Sequence, residues 1–465
     1  MTDRPTLPLQ LEVPGMGPLV CERALRILPG QRWTLAGRLP EQADMPVVAK
    51  LYLASGRRAR RHFERERRGL EALYQRGIAA PELLFSGQLP APAGWLVLTA
   101  LLGGEPANRM AVATLPAVLR AVALHHADGV EQTDAHLGNF LIRGGVAWTL
   151  DGAGIRAGPA PLPARRALRN LARWLAQIPP SAVIQLGQLY TQYRAARWDG
   201  GRIGSGRALG RALKHERRKR ETRHLKKVFR DCTAFSVSRS FTRVQVLDRR
   251  YDTPALRELL ANPDAAFVAL DADWLKRGNS ASVVRVLVDG RALVLKRYNL
   301  KSPVHWLRRF WRPSRAWHSW RNAQRLVLWG VPTATPVAVL ENRLGWLRGR
   351  AWYVSEFVPG VPLHVALADT TGPPREVIIE RLHTLLTELV QLRLSHGDLK
   401  ATNFLCDPDR PLMLLDLDVM RRHRRRRTFS RAFSRDLQRL RANWADDPPL
   451  RLALDDALTD IERYL

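Results

Sequence analysis

Lysine is scarce in this chain. Of 74 basic residues in 465, only nine are lysine, at positions 50, 214, 219, 226, 227, 276, 296, 301 and 400. An arginine-favouring coding bias accounts for part of this, so the places where lysine persists carry information. Cysteine is scarcer still. Cys21, Cys232 and Cys406 are scattered and odd in number, which excludes a disulfide framework and fits a reducing cytosol. No stretch approaches the roughly 18 uninterrupted apolar residues of a membrane span. Met1 to Pro5 lacks the basic start and apolar core of a signal peptide, so the expectation is a soluble or peripheral protein. Acidic residues number only 43, which leaves a net charge of +31. Such an excess attracts polyanions: nucleic acid, anionic lipid or phosphorylated sugar. Zinc-ligand spacings, RNP-like runs and helix-turn-helix patterns are absent, which weighs against a nucleic-acid binder inferred from charge alone. The 46% hydrophobic and 25% charged fractions are those of a globular protein, and the length allows two to four domains.

What is present is a repeat. Asp134-Ala135-His136-Leu137-Gly138-Asn139-Phe140-Leu141 is followed by Asp151, and Asp398-Leu399-Lys400-Ala401-Thr402-Asn403-Phe404-Leu405 by Asp416. In each copy the first Asp and the Asn are five positions apart, and the second Asp follows the Asn by 12 or 13 positions. That is the spacing of a kinase catalytic loop and its metal-binding Asp. Two copies imply two kinase-like domains.

The layout upstream of each loop is also repeated. Ser282 to Val288 and Arg291 to Tyr298 are β-rich runs joined by Asp289-Gly290, a strong hairpin signal. Lys296 falls late in the second run, and a helix is expected from about Ser314 to Trp329, closed by Gly330 and Pro332. The first half echoes this with Lys50 in Val47-Val48-Ala49-Lys50-Leu51-Tyr52, then a helix from about Arg60 to Arg76, closed by Gly77. Each half then has an apolar strand, Trp95 to Leu98 or Trp352 to Phe357, before Gly103-Gly104 or Gly360. A short helical piece, Pro254 to Leu260, is expected at the front of the second half. The anticipated fold class is α+β, two tandem protein-kinase-like domains, each with a small β-rich N-lobe and a mainly helical C-lobe. Domain 1 would span 1–210 and domain 2 would span 211–465, with a basic junction at about 199–227 that reads as a linker or a solvated basic helix.

Phosphoryl transfer needs the phosphates held, the metal placed and the acceptor hydroxyl aimed. Asp398 and Asp134 are the candidate catalytic bases, and Lys400 could neutralise the transferring group. Asn403 with Asp416, and Asn139 with Asp151, are candidate ligands for Mg²⁺, which favours hard oxygen donors. Lys296 and Lys50 are candidate ligands for the phosphates of ATP, although an edge-strand lysine reaching solvent reads the same way in isolation. Eleven residues before the helix-ending glycine stands Glu66 in the first half, suited to pair with Lys50. The same count reaches Ser319 in the second, which cannot make that ion pair; Glu341 or Glu356 is then available to substitute. The nucleotide-covering segments, Leu28 to Arg32 and Arg277 to Ser282, lack a G-x-G-x-x-G pattern.

With these loops, the lysines and the hinge-like Glu356-Phe357-Val358-Pro359-Gly360, the chain resembles the bacterial lipopolysaccharide kinase family, written as two tandem units. Asp134 to Asn139 looks like one form of that family's loop, and His396-Gly397-Asp398-Leu399-Lys400 with Leu415-Asp416-Leu417-Asp418 like another. The resemblance implies ATP- and Mg²⁺-dependent phosphorylation of a heptose or Kdo sugar of the inner core. It further implies lipid A–core as partner and work on the cytoplasmic face of the inner membrane, with no specific nucleic acid. Gln132 departs from the family where a histidine is expected, and Ser319 where a glutamate is. Arg421 to Arg427, rich in arginine forks, would suit an anionic acceptor. An aminoglycoside kinase of similar plan would want acidic residues there. The competing class is a protein kinase or a regulatory pseudokinase with one or both domains inactive.

Overall fold

The structure, a computed structural model, describes residues 5–53, 56–89, 94–108, 112–180, 186–197, 206–299, 311–444, 447–463 and 465. Gly200, Gly201 and Gly204 of the anticipated junction lie outside these residues. The chain divides into two compact units, Met1–Arg218 and Lys219–Leu465.

The first unit opens with an antiparallel six-stranded sheet in the order Leu9–Val13, Gly17–Leu28, Arg32–Leu39, Met45–Tyr52, Gly94–Ala100, Leu83–Leu89. Alternation along Met45–Tyr52 buries Val47, Ala49 and Leu51 and turns Lys50 to the other face. The Arg57–Tyr74 helix packs there through Phe63, Glu66, Gly69 and Leu70. Its close is a glycine stop: Gly77 takes φ 63°, and the Ile78 N–H donates back to the Leu73 carbonyl at 3.0 Å. The remainder of the unit is mainly helical, around a core that includes Leu119, Val122, Phe140, Trp174 and Tyr193.

The second unit repeats the plan with seven antiparallel strands in the order Phe235–Arg239, Arg243–Asp248, Pro336–Leu344, Leu347–Glu356, Arg291–Tyr298, Ala281–Val288, Asp273–Arg277. Asp289 and Gly290 take φ of 50° and 73° between the paired Val288 and Arg291, the two-residue turn that Asp-Gly favours. The Arg315–Trp329 helix starts at Ser314, whose Oγ accepts from the Trp317 N–H, and stops at Gly330 with φ 75°. The short front helix runs Pro254–Ala261, capped by Thr253. The helical portion packs around Leu386, Phe404, Phe433 and Leu458.

The basic stretch expected to be a linker or solvated helix is largely one helix, Gly206–Lys227. It is not wholly solvated: Leu209, Leu213 and Leu225 are buried, and so are Glu216 and Glu221. Carboxylates at Glu216 and Glu221 balance arginines that the composition alone leaves unpaired.

Candidate active site

In both units one set of hydrogen bonds builds the loop. The Asn403 Nδ2 donates to the Asp398 carbonyl at 2.7 Å, and the Asn139 Nδ2 to the Asp134 carbonyl at 3.0 Å. The Leu415 N–H donates to the Asn403 carbonyl at 2.8 Å, and the Leu150 N–H to the Asn139 carbonyl at 2.9 Å. The asparagine therefore ties both ends of the loop together and fixes the position of the Asp that follows. One step upstream, the Leu414 N–H donates to the Pro332 carbonyl and the Thr149 N–H to the Ala79 carbonyl. Those acceptors stand two residues past the glycine that closes each helix, so the repeat extends from sheet to loop.

The second unit holds a cavity of 380 Å³ between its sheet and its loops. Val283 and Val294 line it from the sheet, and Leu405 and Leu415 from the other side. Glu356, Phe357 and Val358 form one end, and Lys296, Asn403 and Asp416 another. Lys296 Nζ donates to Asp416 Oδ1 at 2.6 Å. Burial disfavours the charged lysine, but Tyr298, Asp416 and Asp418 outweigh it and hold the ammonium above its ordinary range. Asp416 is buried too, which alone would raise its pKa; the Lys296 charge and hydrogen bond carry it below the usual carboxylate range. Asp416 itself takes φ 56°, a left-handed backbone uncommon for a non-glycine residue and of the kind found at functional sites.

The question of what replaces the helix glutamate has an answer, and it is neither Glu341 nor Glu356. Glu341 is fully buried against Arg343 and Arg348, and Glu356 Oε1 accepts from the Tyr251 hydroxyl at 2.7 Å. Ser319 Oγ hydrogen-bonds the Tyr298 hydroxyl at 2.7 Å, and Lys296 is left to Asp416. The same helix instead supplies Arg315, whose guanidinium grips the buried Asp418, and Asn322, whose Nδ2 donates to the carbonyls of Leu417 at 2.8 Å and Met420 at 3.0 Å. Burial, with repulsion from Asp416, pushes the Asp418 carboxyl up despite Arg315.

In the first unit Lys50 Nζ bonds Glu66 Oε1 and lies 3.5 Å from Asp151 Oδ1. Glu66 also accepts from the N–H groups of Gly152 at 3.2 Å and Ala153 at 3.0 Å, so it spans helix, strand and loop. Burial opposes the charged form of Lys50, but Glu66 and Asp151 raise its pKa, while Lys50 carries Asp151 down against burial. A cavity of 340 Å³ in this unit is lined by Gly30, Gln31, Arg32, Tyr52, Arg58 and His62, and neither Asn139 nor Asp151 lines it. Asp134 is exposed and Gln132 is buried, with neither amide atom of Gln132 hydrogen-bonded among the described residues. In the second unit the corresponding His396 Nε2 bonds the Leu415 carbonyl at 2.9 Å. Asp398 there has company: Lys400 Nζ at 3.1 Å and Arg439 Nε at 3.9 Å.

Residues that spacing did not single out also hold the loops. Asp436 accepts from the His396 N–H at 2.7 Å and the Gly397 N–H at 3.0 Å, and Asn443 Oδ1 accepts from the Ala401 N–H. In the first unit Asn170 donates to the Gln132 carbonyl at 2.9 Å, and Gln177 Oε1 accepts from the Leu137 N–H at 3.1 Å. The signal was present: Asn170, Leu171, Arg173 and Gln177 recur at equal spacing as Asp436, Leu437, Arg439 and Asn443.

Could these residues hold the groups a kinase uses? Asp416 and Asn403 offer hard oxygens at the polar end of the cavity, beside a lysine. Among the described residues no cluster of three His, Cys, Asp or Glu forms a closed metal cage. Mg²⁺ takes hard oxygen ligands of the kind Asp416 and Asn403 offer, with water and substrate phosphates completing its shell. The apolar lining and the paired Lys296 suit a nucleotide.

A sheet capped by a helix, a lysine facing an aspartate, and an Asp-x₄-Asn loop under the cleft together define a kinase-like phosphotransferase. Residues 265–460 match the model of the Lipopolysaccharide kinase (Kdo/WaaP) family. The match lies within the second unit, and the family is one of kinases, in keeping with the site described above. A solved structure, WaaP in complex with acyl carrier protein, aligns with 47% of this chain and 98% of its own at 22% identity, with a TM-score of 0.29, too low to add to the family match. No curated protein matches the chain.

Proposed function

We propose that the chain is an ATP- and Mg²⁺-dependent kinase that phosphorylates a sugar hydroxyl, heptose or Kdo, of the lipopolysaccharide inner core. The observation that carries this reading is the cavity edged by Lys296, Asn403 and Asp416, inside the segment that matches the family. Lys296 would hold nucleotide phosphates; Asn403 and Asp416 would hold magnesium, which supplies positive charge against the triphosphate. Asp398 would orient the acceptor hydroxyl and take its proton, with Lys400 balancing charge beside it. Arg421, Arg424, Arg425 and Arg427 are exposed and suit the phosphates of lipid A–core. Arg422 and Arg426 are otherwise engaged, with Glu221 and the Leu465 carbonyl. No described helix is long and apolar enough to cross a membrane, so reaching that acceptor would be a peripheral event at the inner-membrane surface.

The tandem reading is also ours: kinase-like domains at about 1–210 and 211–465, with Lys50, Glu66, Asp134, Asn139 and Asp151 as the first domain's counterparts. Gln132 in place of a histidine, buried and with neither amide atom hydrogen-bonded among the described residues, favours a regulatory or scaffold role for the first domain. The test is transfer of labelled phosphate from ATP to purified dephosphorylated lipid A–core, against a generic protein acceptor. Asp398→Ala and Asp416→Ala should abolish transfer, Asp134→Ala should spare most of it, and EDTA should stop it. Full activity in the Asp134→Ala, Asp398→Ala double variant would sink the reading.

A further inference from the structure

The kinase reading leaves the Arg315–Trp329 helix without a glutamate for Lys296, so something else must set its register. Four polar residues on its buried side have partners that fix it. Ser319 meets Tyr298, Arg315 grips Asp418, and Asn322 spans Leu417 and Met420. Arg325, 6% exposed, meets a carboxylate that comes from outside the family-matched segment.

That carboxylate is Glu221, on the Gly206–Lys227 helix and 4% exposed. Its Oε1 accepts from Arg325 Nε at 3.0 Å. Its Oε2 accepts from Trp329 Nε1 at 3.3 Å and from Arg422 Nη1. The opposing effects of burial and of two arginines are resolved in favour of the charged form, and the Glu221 carboxyl lies below its ordinary value. Two short chains of contacts lead from it to the cleft. Arg325 Nη1 donates to Asn322 Oδ1, and Asn322 holds the turn that follows Asp416. Arg422 lies in the Arg421–Arg422 strand, which pairs with Leu394–Ser395 immediately before His396 and Asp398.

We infer that Glu221 is a positioning residue of the kinase site: one buried carboxylate fixes both the helix over Lys296 and the segment between Asp416 and Arg422. It supplies, from a helix upstream of residue 265, the anchoring that Ser319 cannot. It touches neither nucleotide nor acceptor. Its loss should therefore act on turnover more than on nucleotide affinity, because the residues lining the nucleotide cavity from the sheet stay in place.

The inference rests on the kinase reading, and the test separates the two. Full-length parent, Glu221→Gln and Arg422→Gln are compared for kcat and for KM of ATP, with dephosphorylated lipid A–core as acceptor, and for backbone hydrogen exchange across residues 415–423. Glutamine keeps the size but sets an NH₂ group against donors, so it is not expected to rescue. Glu221→Gln should lower kcat at least tenfold with KM for ATP within threefold, and should speed exchange at 415–423. Arg422→Gln, whose side chain is partly exposed, should fold and lower kcat severalfold. A purely structural role would lower the melting temperature and leave kcat per folded molecule within twofold at temperatures well below it; that result overturns the inference. Should Glu221→Gln not fold, kcat within twofold in Arg422→Gln overturns it. If the parent transfers no phosphate, the function reading fails, and exchange at 415–423 decides alone: unchanged rates in either folded variant overturn the role of Glu221.

Discussion

Lys296 and Asp416 form a half-buried ion pair, with side chains 15% and 27% exposed, at the polar end of the nucleotide-sized cavity. Each helps to hold the other charged against burial, with Tyr298 and Asp418 adding to the support of Lys296. Asp416→Asn therefore removes a counter-ion as well as the proposed metal ligand. Turnover should fall by roughly 10²–10³-fold, the scale for losing one preorganised electrostatic group, and the affinity of a fluorescent ATP analogue should lose its dependence on magnesium. Asp436 acts one layer behind. It is 1% exposed, and burial pushes its pKa up, opposed by the two backbone N–H groups it accepts from. Asp436→Ala strands both donors in the interior, at roughly 1–3 kcal/mol for each unmade bond. Denaturant unfolding should show a loss in that range or above in the second unit. A loss below about 1 kcal/mol would mean the loop does not depend on this carboxylate. These positions differ in legibility. That Asp398, Asn403 and Asp416 meet in one loop could be read because they lie close in sequence. Asp436 was harder to single out, because a helix far along the chain delivers it and only the recurrence of the Asn170 spacing marks it, and Ser319 concealed that Arg315 and Asn322 share the work of anchoring.

Capped helices and a tight hairpin are local events, and they were readable as such. Ser314 and Gly330 bracket one helix, Gly77 closes the other, and Asp289-Gly290 turns the strands of the second sheet. The order of strands in each sheet was not readable, because pairing such as Arg243–Asp248 with Pro336–Leu344 joins segments about 90 residues apart. Nor was the burial of Glu216 and Glu221 on a helix whose composition looks wholly solvated. Packing between elements shows most plainly at Gly69, on the Arg57–Tyr74 helix. A Cβ there would sit 1.9 Å from the Gly152 carbonyl oxygen, in the loop that follows Asp151. Gly69→Ala should force helix and loop apart, loosening the Glu66 bonds to Gly152 and Ala153. The expected cost is several kcal/mol, against the roughly 1 kcal/mol that alanine normally gains over glycine in a helix. Gly210→Ala is the control: it is exposed, nothing lies within 4 Å of its added Cβ, and it should stabilise slightly. Thermal melts of the two variants should move in opposite directions; equal shifts would contradict the packing of Gly69 on Gly152.

At the scale of the whole molecule, +31 formal charges do not make the interior basic. Buried Arg325 is matched by Glu221, and the two buried histidines of the first unit's helical core are held neutral. His125 meets Thr149 Oγ1 at 3.1 Å, and His126 meets the Tyr193 hydroxyl at 2.6 Å and Asn170 Oδ1 at 3.1 Å. None of these partners is a carboxylate that could stabilise an imidazolium. Burial pushes His125 down to about 4; burial, relieved in part by the Asn170 bond, pushes His126 down to about 3. In the unfolded chain each titrates near 6.5. The folded state thus binds fewer protons than the unfolded one as pH falls below 6.5. Stability is fully present above that value and declines until the folded-state values are reached. By pH 4.5 the loss is about 2–3 kcal/mol for each histidine. His62 is also lowered, by burial and neighbouring arginines, but it is exposed and adds little. Between pH 6.5 and 5 most carboxylates remain ionised, so histidine dominates that window. Denaturant unfolding followed at pH 7.5, 6.0 and 5.0 should show the first unit losing stability steadily, and His126→Gln should flatten the slope even if it lowers stability at pH 7.5. A slope unchanged by that substitution would mean that His126 is not the group whose protonation opens the first unit.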